Sequence, residues 1–450
     1  MTTVAPSDPA PRLGSGLALE LAKKGAVYGL GASLNGVVAF LLLPFIVHRL
    51  DSFEYGRYAL AELLLNLLLV ICGLGLGSAL LARYAKLEDR AQRELVGSVL
   101  GLVLVATLGV LAAFALFAWL LGAHVFPELG LRHYVLVAAI AACESVWLVF
   151  AAMYRARGAA WRYIVLQLVQ VAISLGLTIE LIAHRGYRED GLLVGRLAAD
   201  AAVLLLLVPE LVRYRPRALA QAWDLVRVGG PLVLAAFSAM FVAMSPRLFL
   251  DHFGDASMVG SFAVDARLAS IVSIGFVQPF GLVYVAAIVP IARRPDARKV
   301  FARAATFYIA LGGLATIAVG LAAPWIAHTL GKSQFPISPT AILVLAAANV
   351  AAGLIYPLTI GPYVLERTRE VIPVYVGAAV LAIAAGWISI AHAGILGAAG
   401  ALVAVYVAQG IALAVVSQRM YPVPFEWRRV AVLAAAFAGA VTAVVSLGLR

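Results

Sequence analysis

Eight ionisable side chains lie inside long apolar runs of the sequence, where a charge that is neither paired nor hydrated costs several kcal/mol. They are Arg196, Arg247, Arg267, Glu62, Glu144, Glu180, Asp200 and Asp265. A guanidinium keeps its proton and can bind two oxygens of one anion. A carboxylate in an apolar setting can exchange a proton or hold a cation. The set therefore indicates contact with an anionic ligand and movement of a small cation.

Spacing along the runs separates local pairs from residues that need a partner elsewhere. Arg196 and Asp200 are four residues apart, so they share one helical face and we expect them to form an ion pair. Asp265 and Arg267 are two apart and point about 200° from each other on a helix. At least one of these two therefore requires a partner on another helix.

Depth within a run suggests different roles for the remaining charges. Glu144 is the deepest acid, and it either carries a coupling proton or cation or forms a structural hydrogen bond to a neighbouring helix. Glu62 and Glu180 lie nearer the outer ends, where we expect solvation at the membrane interface. Arg247 is also near an outer end, where it either faces a cavity or extends to the interface.

The composition indicates that these apolar runs lie in the lipid bilayer. The chain has 450 residues, of which 63% are hydrophobic and 13% are charged, with a mean hydropathy of +0.98. Runs of about 20 apolar residues span the hydrocarbon core as helices, and a barrel would instead show alternating strands of about 10 residues. The sequence predicts an all-α polytopic membrane protein. The two cysteines, Cys72 and Cys143, leave no disulfide framework or cysteine metal site, and we expect no cofactor.

Thirteen membrane spans are predicted from the apolar runs, with no signal peptide before them. They lie at about 25–48, 58–82, 95–122, 131–154, 161–184, 190–213, 227–250, 258–292, 300–328, 339–365, 371–391, 394–417 and 429–449. The run 258–292 is too long for one straight crossing, and Pro279 and Gly281 favour a single kinked helix. The loops are too short to hold a soluble catalytic domain.

The net charge of +11 is explained by topology rather than by nucleic acid. With the N-terminus taken as cytoplasmic, 24 Lys and Arg residues lie in cytoplasmic loops and 7 lie on the opposite side. An excess of this size orients a membrane protein with its N-terminus inside. We therefore expect no nucleic-acid partner.

An internal repeat divides the chain into two halves. Phe45, His48, Asp51, Gly56 and Ala59 recur 204 residues later as Phe249, His252, Asp255, Gly260 and Ala263. Six spans separate the copies, so both halves insert in the same orientation and are related by a parallel pseudo-two-fold axis. The expected organisation is a cytoplasmic segment 1–24, an N-lobe of six spans at 25–213, an amphipathic cytoplasmic linker at 214–227, a C-lobe of six spans at 228–417 and one extra C-terminal span at 418–450. The two six-helix lobes would enclose a central cavity.

Motifs spread over nearly the whole chain resemble those of Wzx-type polysaccharide biosynthesis proteins. These proteins belong to the multidrug/oligosaccharidyl-lipid/polysaccharide exporter superfamily. The matching elements are Arg49-Leu50-Asp51, Glu54-Tyr55-Gly56-Arg57-Tyr58, the glycines of 73–77 with Arg83, Gly260-Ser261-Phe262-Ala263 with Arg267, and Gly394-Ile395-Leu396-Gly397-Ala398-Ala399. Two features depart from the family: Arg247 follows Pro246 and lacks the usual preceding Asn, and twelve or fourteen spans are usual.

The resemblance implies a flippase of the bacterial inner membrane. Its cargo would be an undecaprenyl-diphosphate-linked oligosaccharide, moved to the outer leaflet for capsule, exopolysaccharide or O-antigen assembly, with a polysaccharide polymerase as a possible partner. Arg267 matches the basic position of the family. We expect Arg196, Arg247 and Arg267 to contact the cargo, and Glu144, Asp200 and Asp265 to take part in coupling to a proton or sodium ion.

Three other functions are compatible with parts of the sequence. A cation-coupled small-molecule exporter of the same superfamily would share the two lobes and the intramembrane acids. A membrane polysaccharide polymerase or ligase is disfavoured because the outer loops are short. A membrane scaffold is disfavoured by the charges within the spans. No nucleophile and base pattern is evident, so we expect a protein that is not an enzyme.

Overall fold

The computed structural model describes residues 36–84, 87–215, 222–330, 335–365 and 367–448, and the regular structure in these ranges is helical. Eighteen α-helices follow one another in the described ranges. They are α1 Gly36–Arg49, α2 Ser52–Gly73, α3 Leu76–Tyr84, α4 Asp89–Leu120, α5 Gly122–Val125, α6 Leu131–Ala156, α7 Ala160–His184, α8 Asp190–Leu206, α9 Val208–Arg213, α10 Ala222–Phe253, α11 Ala256–Val272, α12 Gln278–Ala292, α13 Ala297–Leu330, α14 Pro339–Ala352, α15 Ile355–Leu358, α16 Ile360–Val364, α17 Ile372–Met420 and α18 Trp427–Gly448. The cytoplasmic segment predicted at 1–24, the first part of the first span and the middle of the linker 214–227 lie outside these ranges.

Nine helical stretches of the described residues are each long and apolar enough to cross a membrane. The remaining predicted spans also coincide with helices of the described residues, although these helices are not counted separately among the nine. The described part of α1 is short, α8 has 17 residues, and α18 coincides with the last predicted span. The long α17 includes two predicted spans because Gly394, at φ +51°, bends it between them. A residue with a Cβ would be strained at that backbone conformation.

The run predicted as one kinked helix is confirmed as such. Helix α11 continues into a π-helical turn over Ser273–Val277 and then into α12. Pro279 lies in the first turn of α12 and has no N–H to donate to the preceding turn, and its ring displaces the carbonyl four residues earlier. A π-turn at this point absorbs the mismatch without breaking the crossing.

The repeat predicted from the sequence is visible in the packing of α2 on α11. Asp51 and Asp255, which are repeat partners, each cap the helix that follows by accepting a hydrogen bond from the backbone N–H three residues later. A Cβ added to Gly56 would collide with the carbonyl oxygen of Ala256, and one added to Gly260 would collide with that of Ser52. Each helix thus fits its glycine against the first turn of the other, as a pseudo-two-fold axis between them requires.

The described residues therefore form two lobes and an additional helix. With the lobe bounds taken from the repeat, the N-lobe corresponds to α1–α9 and the C-lobe to α10–α17, and α2, α10 and α11 pack together between them. Helix α18 lies outside the repeat and packs on α13 and α14 of the C-lobe. This is the predicted all-α arrangement of two six-helix lobes with one further C-terminal helix.

Candidate functional site

A cavity of about 310 Å³ lies in the N-lobe and collects four of the eight intramembrane charges. Helices α1, α2, α6, α7 and α8 form its wall, and α11 of the C-lobe contributes one side chain. The polar and charged lining residues are Tyr58, Glu62, Asn66, Glu144, Gln170, Ser174, Thr178, Arg196 and Arg267. We refer to it as the charged cavity. Arginines from both lobes face the same space, so an anion that entered it would meet two guanidinium groups.

Arg196 pairs with Glu144 across two helices rather than with Asp200 along its own. The Arg196 Nη2 lies 2.6 Å from Glu144 Oε2, which joins α8 to α6. The predicted Arg196–Asp200 ion pair is therefore wrong. A helix places residues four apart on one face, but the close packing of α6 on α8 brings a second carboxylate nearer to the guanidinium. Glu144 thus has the basic partner that its own helix lacks.

Asp200 is almost completely buried and only half satisfied. One carboxylate oxygen accepts a hydrogen bond of 2.5 Å from Gln170 Nε2 on α7. The other oxygen, Oδ2, is buried and has no hydrogen-bond partner among the described residues. An unsatisfied carboxylate oxygen in a buried position is costly. Because Gln170 lines the charged cavity, Asp200 lies directly behind the cavity wall.

Glu62 lies between two arginines of the C-lobe. Arg247 Nη1 is 3.0 Å from Glu62 Oε2, and Arg267 Nη2 is 3.5 Å from Oε1. The side chain of Glu62 is 16% exposed, so the expectation of simple solvation at the interface is wrong. Arg247 also donates to the carbonyl oxygen of Ala59, and its side chain is buried instead of extending to the interface. Glu62 lies close to the α2–α11 crossing, where the neighbouring lobe replaces water.

The prediction that at least one of Asp265 and Arg267 has a partner on another helix is confirmed. Arg267 reaches Glu62 on α2, whereas Asp265 accepts a hydrogen bond of 3.2 Å from the backbone N–H of Ser338, just before α14. Asp265 is fully buried, and its Oδ2 has no hydrogen-bond partner among the described residues. The three predicted coupling acids are therefore not brought together, since Asp265 lies in the C-lobe.

A second network of charges, which the sequence did not reveal, lies where α2, α6 and α8 begin. Glu54 accepts a hydrogen bond of 2.5 Å from Arg188, and Arg57 contacts Glu189. His133, Glu189 and Asp190 hold possible metal-ligand atoms within 4.8 Å of one another. The contact with Arg57 already compensates the carboxylate of Glu189. These residues come from three separate segments, so their proximity depends on tertiary structure that no local pattern encodes.

The charged cavity is balanced by its own side chains. Arg267 and Arg196 each face a carboxylate, Glu62 and Glu144, at 3.5 and 2.6 Å. A multivalent anion entering the cavity would compete with these carboxylates for the guanidinium donors. Since Arg–phosphate contacts can be bidentate, an incoming diphosphate could replace either carboxylate and remain neutralised.

The fold resembles that of known membrane transporters, although sequence identity is low. The lipid II flippase MurJ in an inward closed conformation matches with a TM-score of 0.71 and 12% identity over 94% of this chain and 92% of that chain. A mutant of the MATE transporter VcmN from Vibrio cholerae matches with a TM-score of 0.60 and 15% identity, over 89% and 97%. A MOP superfamily transporter from Pyrococcus furiosus matches with a TM-score of 0.59 and 15% identity, over 92% and 96%. These likenesses show the fold of the MOP superfamily.

Sequence comparison supplies the family. A comparison with curated proteins finds no match. The family model described as polysaccharide biosynthesis protein matches residues 48–304, which is more than half of the chain. The match covers the repeat motif of the N-lobe from His48 onward and the whole motif of the C-lobe, and it includes the charged pairs of the cavity and the intramembrane arginines Arg247 and Arg267. The chain belongs to the polysaccharide biosynthesis protein family, and its fold is that of a multi-pass membrane transporter or flippase of the MOP superfamily.

Proposed function

We propose that the protein is a flippase for undecaprenyl-diphosphate-linked oligosaccharides. It would move them by alternating access from the cytoplasmic to the outer leaflet of the bacterial inner membrane, with its own N-terminus in the cytoplasm, for capsule, exopolysaccharide or O-antigen assembly. The observation that carries the proposal is the convergence of Arg196 and Arg267, one from each lobe, on a single cavity. Membership of the polysaccharide biosynthesis family supports this cargo over other anions.

The chemistry of such a cargo fits the charged cavity. A diphosphate and its sugars do not cross hydrocarbon, whereas a prenyl chain is stable in it. Arg196 and Arg267 would bind the diphosphate oxygens, and Glu144 and Glu62 would hold those guanidiniums when no cargo is present. Arg247 would act by positioning Glu62, because it contacts that carboxylate and the α2 backbone. Cargo binding is thereby linked to the contact between the lobes.

Displacement of Glu62 would connect binding to movement. The carboxylate joins α2 of the N-lobe to α10 and α11 of the C-lobe through its two arginines. A diphosphate that takes over Arg267 removes one of these interlobe contacts. Because the same diphosphate is also bound by Arg196 of the N-lobe, the free energy of cargo binding favours the lobe arrangement that brings both arginines onto it, as a population shift requires.

The driving ion would act on the buried acids. Asp200 lies behind the cavity wall with one unpartnered oxygen, and Glu144 is paired with a cargo-binding arginine. Uptake of a proton or sodium ion at these residues would alter how firmly Arg196 is held. Asp265 would supply a second such group in the C-lobe. A polysaccharide polymerase would accept the delivered repeat units on the outer side.

Substitution of Arg267 tests the proposal. In proteoliposomes, Arg267→Ala is expected to abolish flipping of undecaprenyl-diphosphate saccharides, and Arg267→Lys is expected to retain part of it because an ammonium replaces only the charge. Arg90→Ala is the matched control, since that side chain is 94% exposed and pairs only along its own helix. Wild-type flipping by the Ala variant would contradict the assigned role.

A cation-coupled exporter of small molecules is the second candidate, favoured by the fold likeness to a MATE transporter. The two functions differ in their cargo. An ethidium-like cation would be repelled by Arg196 and Arg267 once their carboxylates were protonated, whereas a diphosphate would be attracted. Gradient-driven efflux of ethidium, with no movement of lipid-linked saccharides, would favour the exporter.

A further inference from the structure

A second cavity, of about 370 Å³, lies in the C-lobe and has a different character from the charged one. It is lined by Ala235, Ala236 and Ala239 of α10 and by residues of α15, α16 and the start of α17. None of its lining residues is charged. Its polar groups are the hydroxyls of Thr359, Tyr363 and Tyr375. We call it the tyrosine cavity.

The two cavities use corresponding parts of the repeat. The charged cavity includes the first, fourth and fifth spans of the N-lobe, through α1, α6 and α7, together with α2, α8 and Arg267 of α11. The tyrosine cavity is built on the first, fourth and fifth spans of the C-lobe, through α10, α15–α16 and α17. It lies near the turn that joins α16 to α17, at the end of these helices away from the paired caps Asp51 and Asp255. In the proposed orientation this is the cytoplasmic end, where cargo enters.

The Thr359 hydroxyl gives a separate indication of a ligand. Thr359 is 3% exposed, and its Oγ1 is buried without a hydrogen-bond partner among the described residues. Thr306 and Thr316, which lie inside α13, donate to a carbonyl of the preceding turn, whereas Thr359 lies in the break between α15 and α16. A buried hydroxyl without a partner is destabilising unless something else satisfies it. Because Thr359 lines the cavity, a ligand hydroxyl there would be such a partner once the side chain turned its hydroxyl toward the cavity.

The residues that line the tyrosine cavity favour one of the three chemical parts of the cargo, which are the diphosphate, the prenyl chain and the saccharide. A diphosphate would find no cation in this cavity, and a prenyl chain would leave the Thr359 hydroxyl unpaired. Neutral sugars carry hydroxyls that pair with Thr and Tyr hydroxyls, and their C–H faces pack on aromatic rings. We propose that the tyrosine cavity binds the saccharide part of the cargo while the charged cavity holds the diphosphate. This inference rests on the proposed function, and it assigns the two chemical parts of one cargo to the two lobes.

The proposal is tested by competition between two lipids. Purified protein in micelles is offered an equimolar mixture of bare undecaprenyl diphosphate and the saccharide-bearing undecaprenyl diphosphates extracted from cells of the source strain. Mass spectrometry of the retained lipids gives their ratio. The wild-type protein is expected to enrich the saccharide-bearing form by about three- to tenfold, as one or two aromatic and hydrogen-bond contacts allow. Tyr375→Ala is expected to reduce that ratio to about one while it retains the bare lipid normally.

A second variant separates a ligand contact from a structural role. Thr359→Val replaces the hydroxyl with a methyl group of similar size, so the thermal midpoint of the ligand-free protein should stay unchanged or rise, since an unpaired polar group is lost. The saccharide enrichment should nevertheless fall. Tyr187→Ala, which alters an exposed tyrosine outside the cavity, is the control.

Each outcome decides one of the two proposals. Wild-type enrichment that persists in both Tyr375→Ala and Thr359→Val overturns the saccharide site, as does a wild-type protein that retains both lipids equally. In either case the flippase proposal stands, because the diphosphate is still bound. A wild-type protein that retains neither lipid overturns the proposed function itself.

Discussion

Among single residues, Glu62 has the largest effect on the proposed mechanism, because its carboxylate is shared by two arginines of the opposite lobe. Position along the chain suggested that it was solvated, since it lies near the outer end of an apolar run. The tertiary structure surrounds it with Arg247 and Arg267 instead. A carboxylate held this way occupies the donors that an anionic cargo needs, so its removal should favour binding and impair movement.

Glu62→Gln is expected to raise the affinity for undecaprenyl diphosphate by about three- to tenfold, because Arg267 loses a competing charge. The rate of flipping should fall, because the contact that separates on cargo binding is already weakened. Lipid binding in micelles and flipping in proteoliposomes measure the two effects. Glu180→Gln is the matched control, since that acid is 48% exposed and pairs only near its own helix end. Weaker binding in Glu62→Gln would contradict this account.

The buried acids of the N-lobe give a second prediction at this scale. Asp200→Asn and Glu144→Gln should both slow transport and weaken its dependence on a proton or sodium gradient. The loss of gradient dependence should be larger for Asp200→Asn, because Asp200 has an oxygen free to take up an ion, whereas Glu144 is engaged by Arg196. The measurement is the ratio of flipping rates with and without an imposed gradient. An unchanged ratio in both variants would leave these acids with a structural role.

Helices α2 and α11 show what the sequence could and could not predict about elements. The repeat correctly indicated that Asp51 and Asp255 hold corresponding positions, and both residues cap the helix that follows, which is a local interaction between a side chain and the next turn. The kink before Pro279 was likewise predictable from one residue. Contacts between helices could not be predicted in this way, because an apolar run of sequence does not show which faces of the helices pack against each other. The Arg196–Glu144 pair depends on such a contact, and the predicted Arg196–Asp200 pair failed for that reason.

The close approach of α2 to α11 leads to a prediction about stability. Gly56→Ala places a methyl group against the Ala256 carbonyl, so the helices must separate, and we expect a loss of about 1–3 kcal/mol. Gly260→Ala should have a similar effect through Ser52. Gly109→Ala on α4 is the control, because a Cβ there meets nothing within 4 Å and alanine favours the helix. Thermal midpoints in micelles report the difference, and equal midpoints for all three variants would contradict the packing.

At the scale of the whole molecule, the fold follows from the sequence more fully than the site does. Length and composition require helices that satisfy their own backbone in lipid, and an even number of spans between repeat copies requires a parallel pair of lobes. Both expectations were met. The charged cavity needs residues from α2, α6, α8 and α11 in one place, and only their packing supplies that. Its arginines could be singled out from sequence, but their carboxylate partners could not.

The parallel arrangement also predicts how the molecule lies in the membrane. His48 and His252 are repeat partners and are both exposed at the ends of their helices, so cysteines at these positions should lie on one side. The excess of basic residues in the other loops predicts that this side faces the exterior. In a background with Cys72 and Cys143 replaced by serine, a membrane-impermeant maleimide should label His48→Cys and His252→Cys in intact spheroplasts, whereas Arg90→Cys should react only after lysis.

Labelling of one histidine position from outside and the other only after lysis would contradict the parallel relation between the lobes. Labelling of both only after lysis would keep that relation and reverse the orientation, placing the cargo's point of entry on the opposite face from the tyrosine cavity.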